Sequence, residues 1–137
     1  MLPWSARRKF LKQIDMAALE AAIREATHGT TGTIRVAILP RFRGSLVKMG
    51  EHLAKSLKMT ALQGRNGVLI LVDPAHRKFL VWGDVAVHER LGPGFFKEAA
   101  DSISELFRKG DFTGGLRHGI ETVGRALAEH YPKRAGE

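Results

Sequence analysis

Asp84 and His88 combine side-chain types and a spacing that could hold a divalent cation. Four residues apart, they share one face if Asp84 opens a helix. A carboxylate, an imidazole and nearby backbone carbonyls form an oxygen-rich donor set suited to calcium or magnesium, and the imidazole draws it toward transition metals. The plainer reading makes Asp84 a helix N-cap and leaves His88 in solvent. Asp111 offers a similar choice. It stands in Gly110-Asp111-Phe112-Thr113-Gly114-Gly115, a glycine-rich turn before a helix, where free N–H groups attract anions. The lysine and the spacing of a P-loop are missing. As architecture, the same residues read as a C-cap glycine, an N-cap aspartate and close helix packing at Gly114, Gly115 and Gly119.

Other chemistry is sparse. The absence of cysteine excludes thiolate catalysis, Cys-ligated zinc and disulfides. His28, His52, His118 and His130 have no ligand spacing among themselves. No serine sits in a nucleophile elbow, and no carboxylate pair stands out for acid–base work. The motifs alone name no reaction.

The elements that position these residues are easier to read. With 137 residues, 44% of them hydrophobic, the chain suits one domain around a single core. Asp15 caps a helix to about Thr27. Thr33 to Leu39 is a strand stopped by Pro40, and Ser45 to Lys58 is a second helix. Val68–Val72 and Phe79–Trp82 form a hairpin around Asp73-Pro74-Ala75-His76, with Pro74 at the second turn position. A short helix from Val85 to Leu91 ends at Gly92-Pro93, a longer one runs from Phe95 to Arg108, and the last follows Asp111 or Thr113 to about Tyr131. Strand–helix–strand implies a right-handed crossover and a parallel pair, to which the hairpin adds an antiparallel strand. The expected fold is a three-layer α/β/α sandwich on a small mixed sheet, its C-terminal half helical.

This topology sorts the polar residues between two sheet edges. Gly83 and Asp84 should lie beside Gly32-Thr33 and Arg65-Asn66-Gly67. Asp73, Pro74 and His76 should lie at the other edge, with Pro40 and Arg41, so Asp73 and Asp84 cannot share one ion.

The 22 basic and 14 acidic residues give a net charge of +8, and half of the excess lies in residues 1–14, which carry Arg7, Arg8, Lys9 and Lys12 without an acid. This basic amphipathic leader reads as a first helix packed on the domain, as a segment lying on an anionic membrane, or as a contact for nucleic-acid phosphates. No nucleic-acid motif supports the last. Residues 15–132 form the domain, and 133–137 a charged tail. Neither a membrane span nor a secretory signal is visible, which gives a cytoplasmic expectation with peripheral membrane contact through residues 1–14.

In order and spacing the motifs resemble the TPM domain family, the YgcG-like domains. The matching stretches are Ala22-Ile23-Arg24-Glu25-Ala26-Thr27 with Thr31-Gly32-Thr33-Ile34-Arg35-Val36, Arg65-Asn66-Gly67-Val68-Leu69-Ile70, Arg77-Lys78-Phe79, Gly83-Asp84 with His88-Glu89-Arg90-Leu91-Gly92, and Gly110-Asp111-Phe112 with Gly115-Leu116 and Gly119-Ile120. The resemblance implies an α/β/α sandwich and a non-catalytic binding module acting with a membrane-associated protein partner, a LemA-like one among the candidates. It also implies calcium binding, with Asp84 and Asp111 matching the family's recurrent acids as candidate ligands. Metal-assisted phosphatase activity is the alternative it implies, and nucleic-acid binding through the leader is the other alternative. The chain departs from the family at Thr33, where glutamate is common, and at Ala86, where glycine is frequent; the first departure removes a hard ligand.

Overall fold

A computed structural model describes residues 3–134, with backbone alone for residues 3–5. The side chain of Trp4 and residues 135–137 of the expected tail lie outside the described part. Three strands, β1 (Thr33–Ile38), β2 (Gly67–Asp73) and β3 (Lys78–Gly83), form one sheet in the order β1-β2-β3. β1 runs parallel to β2, with Thr33 opposite Gly67, and β3 runs antiparallel to it, with Val68 opposite Gly83 and Asp73 opposite Lys78. The mixed sheet and its topology are those expected from the sequence.

Every residue of β2 is buried, because this central strand is covered on both faces. Val68, Ile70 and Val72 join one cluster with Ile34, Ile38 and Val81 of the flanking strands. Its other members come from four helices: Phe10 of α1 (Pro3–Leu11), Leu19 of α2 (Met16–Thr27), Val87 and Ile103 of α4 (Val85–Arg108), and Leu116, Ile120 and Leu127 of α5 (Phe112–His130). Leu69 and Leu71 face the opposite side, against Ala54, Met49 and Leu53 of α3 (Leu46–Ser56). Four helices therefore cover one face, and one helix with a 3₁₀ turn at Met59–Ala61 covers the other.

The leader is an integral helix. Phe10 is buried, and its ring lies 5.0 Å from Phe112 and 6.2 Å from Phe107, which in turn is 5.3 Å from Phe79 at the start of β3. α1 is thus packed on the domain, as the first of the three readings of this segment expects.

Two boundaries differ from expectation. The hairpin strands each reach one residue further, since Asp73 pairs with Lys78, and the turn shifts to Pro74–Arg77, with Arg77 at φ 52°. The two helices expected around Gly92-Pro93 are joined end to end in α4, with a single non-helical residue, Gly92, at φ 77° and ψ 164°. Glycine adopts that conformation without the Cβ penalty, and the proline cannot donate the hydrogen bond that would extend the first segment.

Small residues let α5 approach its neighbours. A Cβ on Gly119 would lie 2.6 Å from the Ile103 Cδ1, and one on Gly124 would lie 2.6 Å from the Ala26 Cβ and 3.0 Å from the Ala26 carbonyl oxygen. The first obstacle is the end of a flexible side chain; the second is backbone. Gly124→Ala is therefore expected to cost about 1–3 kcal/mol through overpacking, outweighing the gain of about 1 kcal/mol in helix propensity. Gly119→Ala should be close to neutral, because Ile103 can turn away. Urea unfolding of the two variants checks the order.

Candidate functional site

The loop before β2, the end of β3 and the start of α4 meet at one sheet edge, as the topology demands. The Asp84 N–H donates to the Gly67 carbonyl at 3.0 Å, which ties the end of β3 to the start of β2. Asp84 is the N-cap of α4, and its side chain is only 2% exposed. A carboxylate so placed needs a cation or several donors, and Arg65 supplies the cation. Its Nε donates to Oδ2 at 2.6 Å and its Nη2 to Oδ1 at 2.7 Å, while the Val85 N–H donates to Oδ1 at 2.8 Å. This is the bidentate geometry for which guanidinium is suited. Arg65 takes a left-handed φ of 48° to make it. The hydrogen bond to Asp84 holds the Arg65 guanidinium above its usual pKa, and burial opposes this more weakly.

The same edge is closed by other buried polar groups. The Thr30 hydroxyl lies 3.0 Å from the Leu127 carbonyl and 2.6 Å from that of Tyr131, and it accepts from the Gly32 N–H at 3.1 Å. The Asn66 side-chain amide donates to the Thr31 hydroxyl at 3.1 Å. Thr33, at the position where glutamate is common in the family, has a buried Oγ1 without a hydrogen-bond partner.

The sequence-derived candidates do not assemble into one ligand set. The His88 ring stacks on Phe96 at 5.3 Å and 15°. Phe96 in turn covers Gly83, where a Cβ would come 2.5 Å from its Cζ. Asp111 caps α5, accepting from the Gly114 N–H at 2.9 Å. The last turn of α5 is the part that meets Thr30 and Thr31, so Asp111 lies a helix length away, roughly 28 Å for 19 residues. Asp73 sits at the opposite edge from Asp84, buried, with its Oδ2 2.8 Å from the His76 Nδ1. Among the described residues no group of three His, Cys, Asp or Glu side chains is placed to hold a metal ion. Both Asp84 oxygens accept from Arg65, so a cation at that carboxylate would have to sit beside the guanidinium or replace it.

The model of the TPM domain matches residues 5–126. The chain belongs to the TPM domain family. Among solved structures it resembles the BA42 protein of the psychrophilic bacterium Bizionia argentinensis at 30% identity and a TM-score of 0.81, over 89% of this chain and 86% of that one. The N-terminal domain of a protein from P. gingivalis matches at 19% identity and a TM-score of 0.70 over 86% and 78% of the two chains. That of cg2496 from Corynebacterium glutamicum matches at 16% and 0.65 over 88% and 76%. These last two likenesses show the fold alone. No curated protein matches the chain.

Sequence reasoning brought Arg65 to the right edge of this TPM domain but did not pair it with Asp84. The usable signal was an acid closing β3 with a basic residue two positions before Gly67, its neighbour across the antiparallel pair. Thr30 and the Gly83–Phe96 contact had no signal of their own.

The pair predicts an asymmetry. Arg65→Ala leaves a buried carboxylate unpaired and should destabilise more than the double variant Arg65→Ala/Asp84→Ser, in which neither charge remains. Urea midpoints of the single and double variants measure it. Millimolar calcium should raise the melting temperature of Arg65→Ala if Asp84 can serve as a ligand; an unchanged temperature there removes Asp84 as a cation site.

Proposed function

We propose that this TPM domain is a binding module without chemistry of its own, acting at an anionic membrane surface beside a membrane-associated protein partner. The observation that supports this reading is the charge at the carboxyl ends of β1 and β2. Arg41, Arg43, Lys78 and His76 line a cleft of about 620 Å³ there, with Asp73 the single acid in its lining. Asp73 is itself engaged by His76. Next to it, Arg7 and Arg8 of α1 lie with Leu11 and Pro40 around a second depression. The Arg7 Nε donates to the Ile38 carbonyl at 2.8 Å, which anchors the leader to the end of β1. Asp15 and Asp111 are occupied as N-caps of α2 and α5.

The leader's cations thus join those of the β1–α3 loop and the hairpin instead of lying along a separate amphipathic helix. No helix among the described residues is long and apolar enough to cross a membrane, so contact through this end would be electrostatic and peripheral. Each cation near an anionic surface contributes about 1 kcal/mol, and the attraction is screened by salt within a Debye length.

Sedimentation with phosphatidylserine vesicles tests the reading. The protein is expected to pellet at low salt and to be released at about 0.5 M salt, where the Debye length shrinks to a few ångströms. Arg41→Glu/Arg43→Glu should weaken binding by roughly tenfold or more. Binding indifferent to salt, or unchanged by the double reversal, would overturn the electrostatic contact.

A further inference from the structure

Strand β1 is an edge strand, and its pattern of hydrogen bonds shows which main-chain groups face outward. The Leu39 N–H donates to the Val72 carbonyl across the parallel pair in which Ile38 is opposite Val72. In a parallel ladder, residues alternate between bonding the neighbour and facing away. Thr33, Arg35 and Ala37 therefore bond β2, and the N–H and C=O groups of Ile34, Val36 and Ile38 point to the open side. The contact of Arg7 with the Ile38 carbonyl, at 2.8 Å, confirms the assignment and closes that end of the edge. Ile34 and Val36 keep a free donor and acceptor each among the described residues.

This edge is recessed. A groove of about 790 Å³ runs along β1, with Met16, Leu19 and Ile23 of α2 on one wall and Leu53 of α3 and its C-cap Leu57 on the other. From these observations we infer that the groove receives an extended segment of a partner protein, which adds a fourth strand to the sheet beside β1. An unsatisfied main-chain ladder selects an extended chain. Walls that are apolar on both sides select apolar residues on both faces of that chain, as in β2. The cations around the groove, Arg35 within it, Lys133 near Thr30, and Arg7 at the far end, outnumber its single acid, Glu20. They favour acidic residues flanking the apolar run. A second copy is a poorer occupant, since its own β1 lies between the same two helices and both pairs of walls would have to pass one another before the strands could pair. The occupant is thus a short apolar segment with acidic flanks and no helix packed beside it.

The inference rests on the reading of the chain as a binding module, but it uses a different surface from the basic cleft, so the two can fail separately. The probe is an acetylated peptide, Glu-Glu-Val-Ile-Val-Ile-Glu-Glu, titrated into ¹⁵N-labelled full chain. Saturable shifts and slowed amide exchange at Ile34 and Val36 are expected, with little change at Arg41 and Arg43. The same peptide N-methylated at each apolar residue keeps its side chains but loses its strand donors, and should bind at least about tenfold more weakly. Val36→Pro removes one outward N–H at an edge position where proline is tolerated, and should weaken the unmethylated peptide similarly. If that variant does not fold, the methylated peptide against the unaltered protein decides the matter. Three results overturn the inference: no shifts at about 1 mM peptide, equal affinity for the methylated peptide, or concentration-dependent self-association that protects Ile34 and Val36 without peptide. Loss of vesicle binding with peptide binding intact would remove the membrane reading and leave this one.

Discussion

The Asp84 carboxylate is buried at the point where three segments converge, and a buried charge obliges its surroundings to answer it. Arg65 answers from the loop entering β2, Gly67 receives the Asp84 N–H, and α4 begins on its cap. One side chain thereby fixes the angle at which the longest helix leaves the sheet. The geometry also explains why Arg65 accepts a left-handed backbone. A guanidinium has to present two parallel donors to two oxygens, and the loop bends to deliver them. Gly83 completes the junction, because only a residue without a Cβ lets the Phe96 ring, on which His88 stacks, approach the strand end so closely.

Most of this architecture was legible in the residue pattern because it rests on periodicity and punctuation. Five apolar residues in succession from Val68 to Val72 could only belong to a strand covered on both sides, and Gly92-Pro93 could only interrupt a helix. The division of polar residues between two sheet edges followed from strand direction, and it held for Asp73 and Asp84. The site's meaning was not legible in the same way. Whether a cap carboxylate holds an ion or a guanidinium depends on a contact between residues 19 apart in sequence, and one sequence carries no signal for that pairing. Nor does spacing reveal that Asp111, matched to the family's recurrent acids, sits at the far end of α5 from Asp84. A helix of 19 residues separates its ends in space more than its sequence distance suggests.

The sheet is consequently polarised. At the amino ends of the parallel strands, charge and most hydrogen-bonding capacity are consumed internally, the Thr33 hydroxyl excepted: Arg65 with Asp84, Thr30 with two carbonyls at the end of α5, Asn66 with Thr31. At the carboxyl ends, Arg41, Arg43 and Lys78 border an open cleft whose acid is already paired. Ligands of open α/β sheets gather at the carboxyl ends of strands because loops there are free to vary while the other end locks the fold. The distribution of satisfied and unsatisfied groups in this TPM domain follows that division.

Arg7 links the two surfaces that remain open. Its guanidinium contributes to the basic end, yet its Nε is committed to the last outward carbonyl of β1. A bare edge of six residues would invite pairing along its whole length. With the Ile38 carbonyl occupied, the usable ladder shrinks to Ile34 and Val36, and the α2 and α3 walls restrict what can approach it. The leader helix, fastened through Phe10 to the aromatic cluster of Phe79, Phe107 and Phe112, holds Arg7 in that position. Removing the leader would therefore do more than subtract four cations. It would reopen the end of β1, uncover the aromatic cluster and lengthen the edge available for pairing.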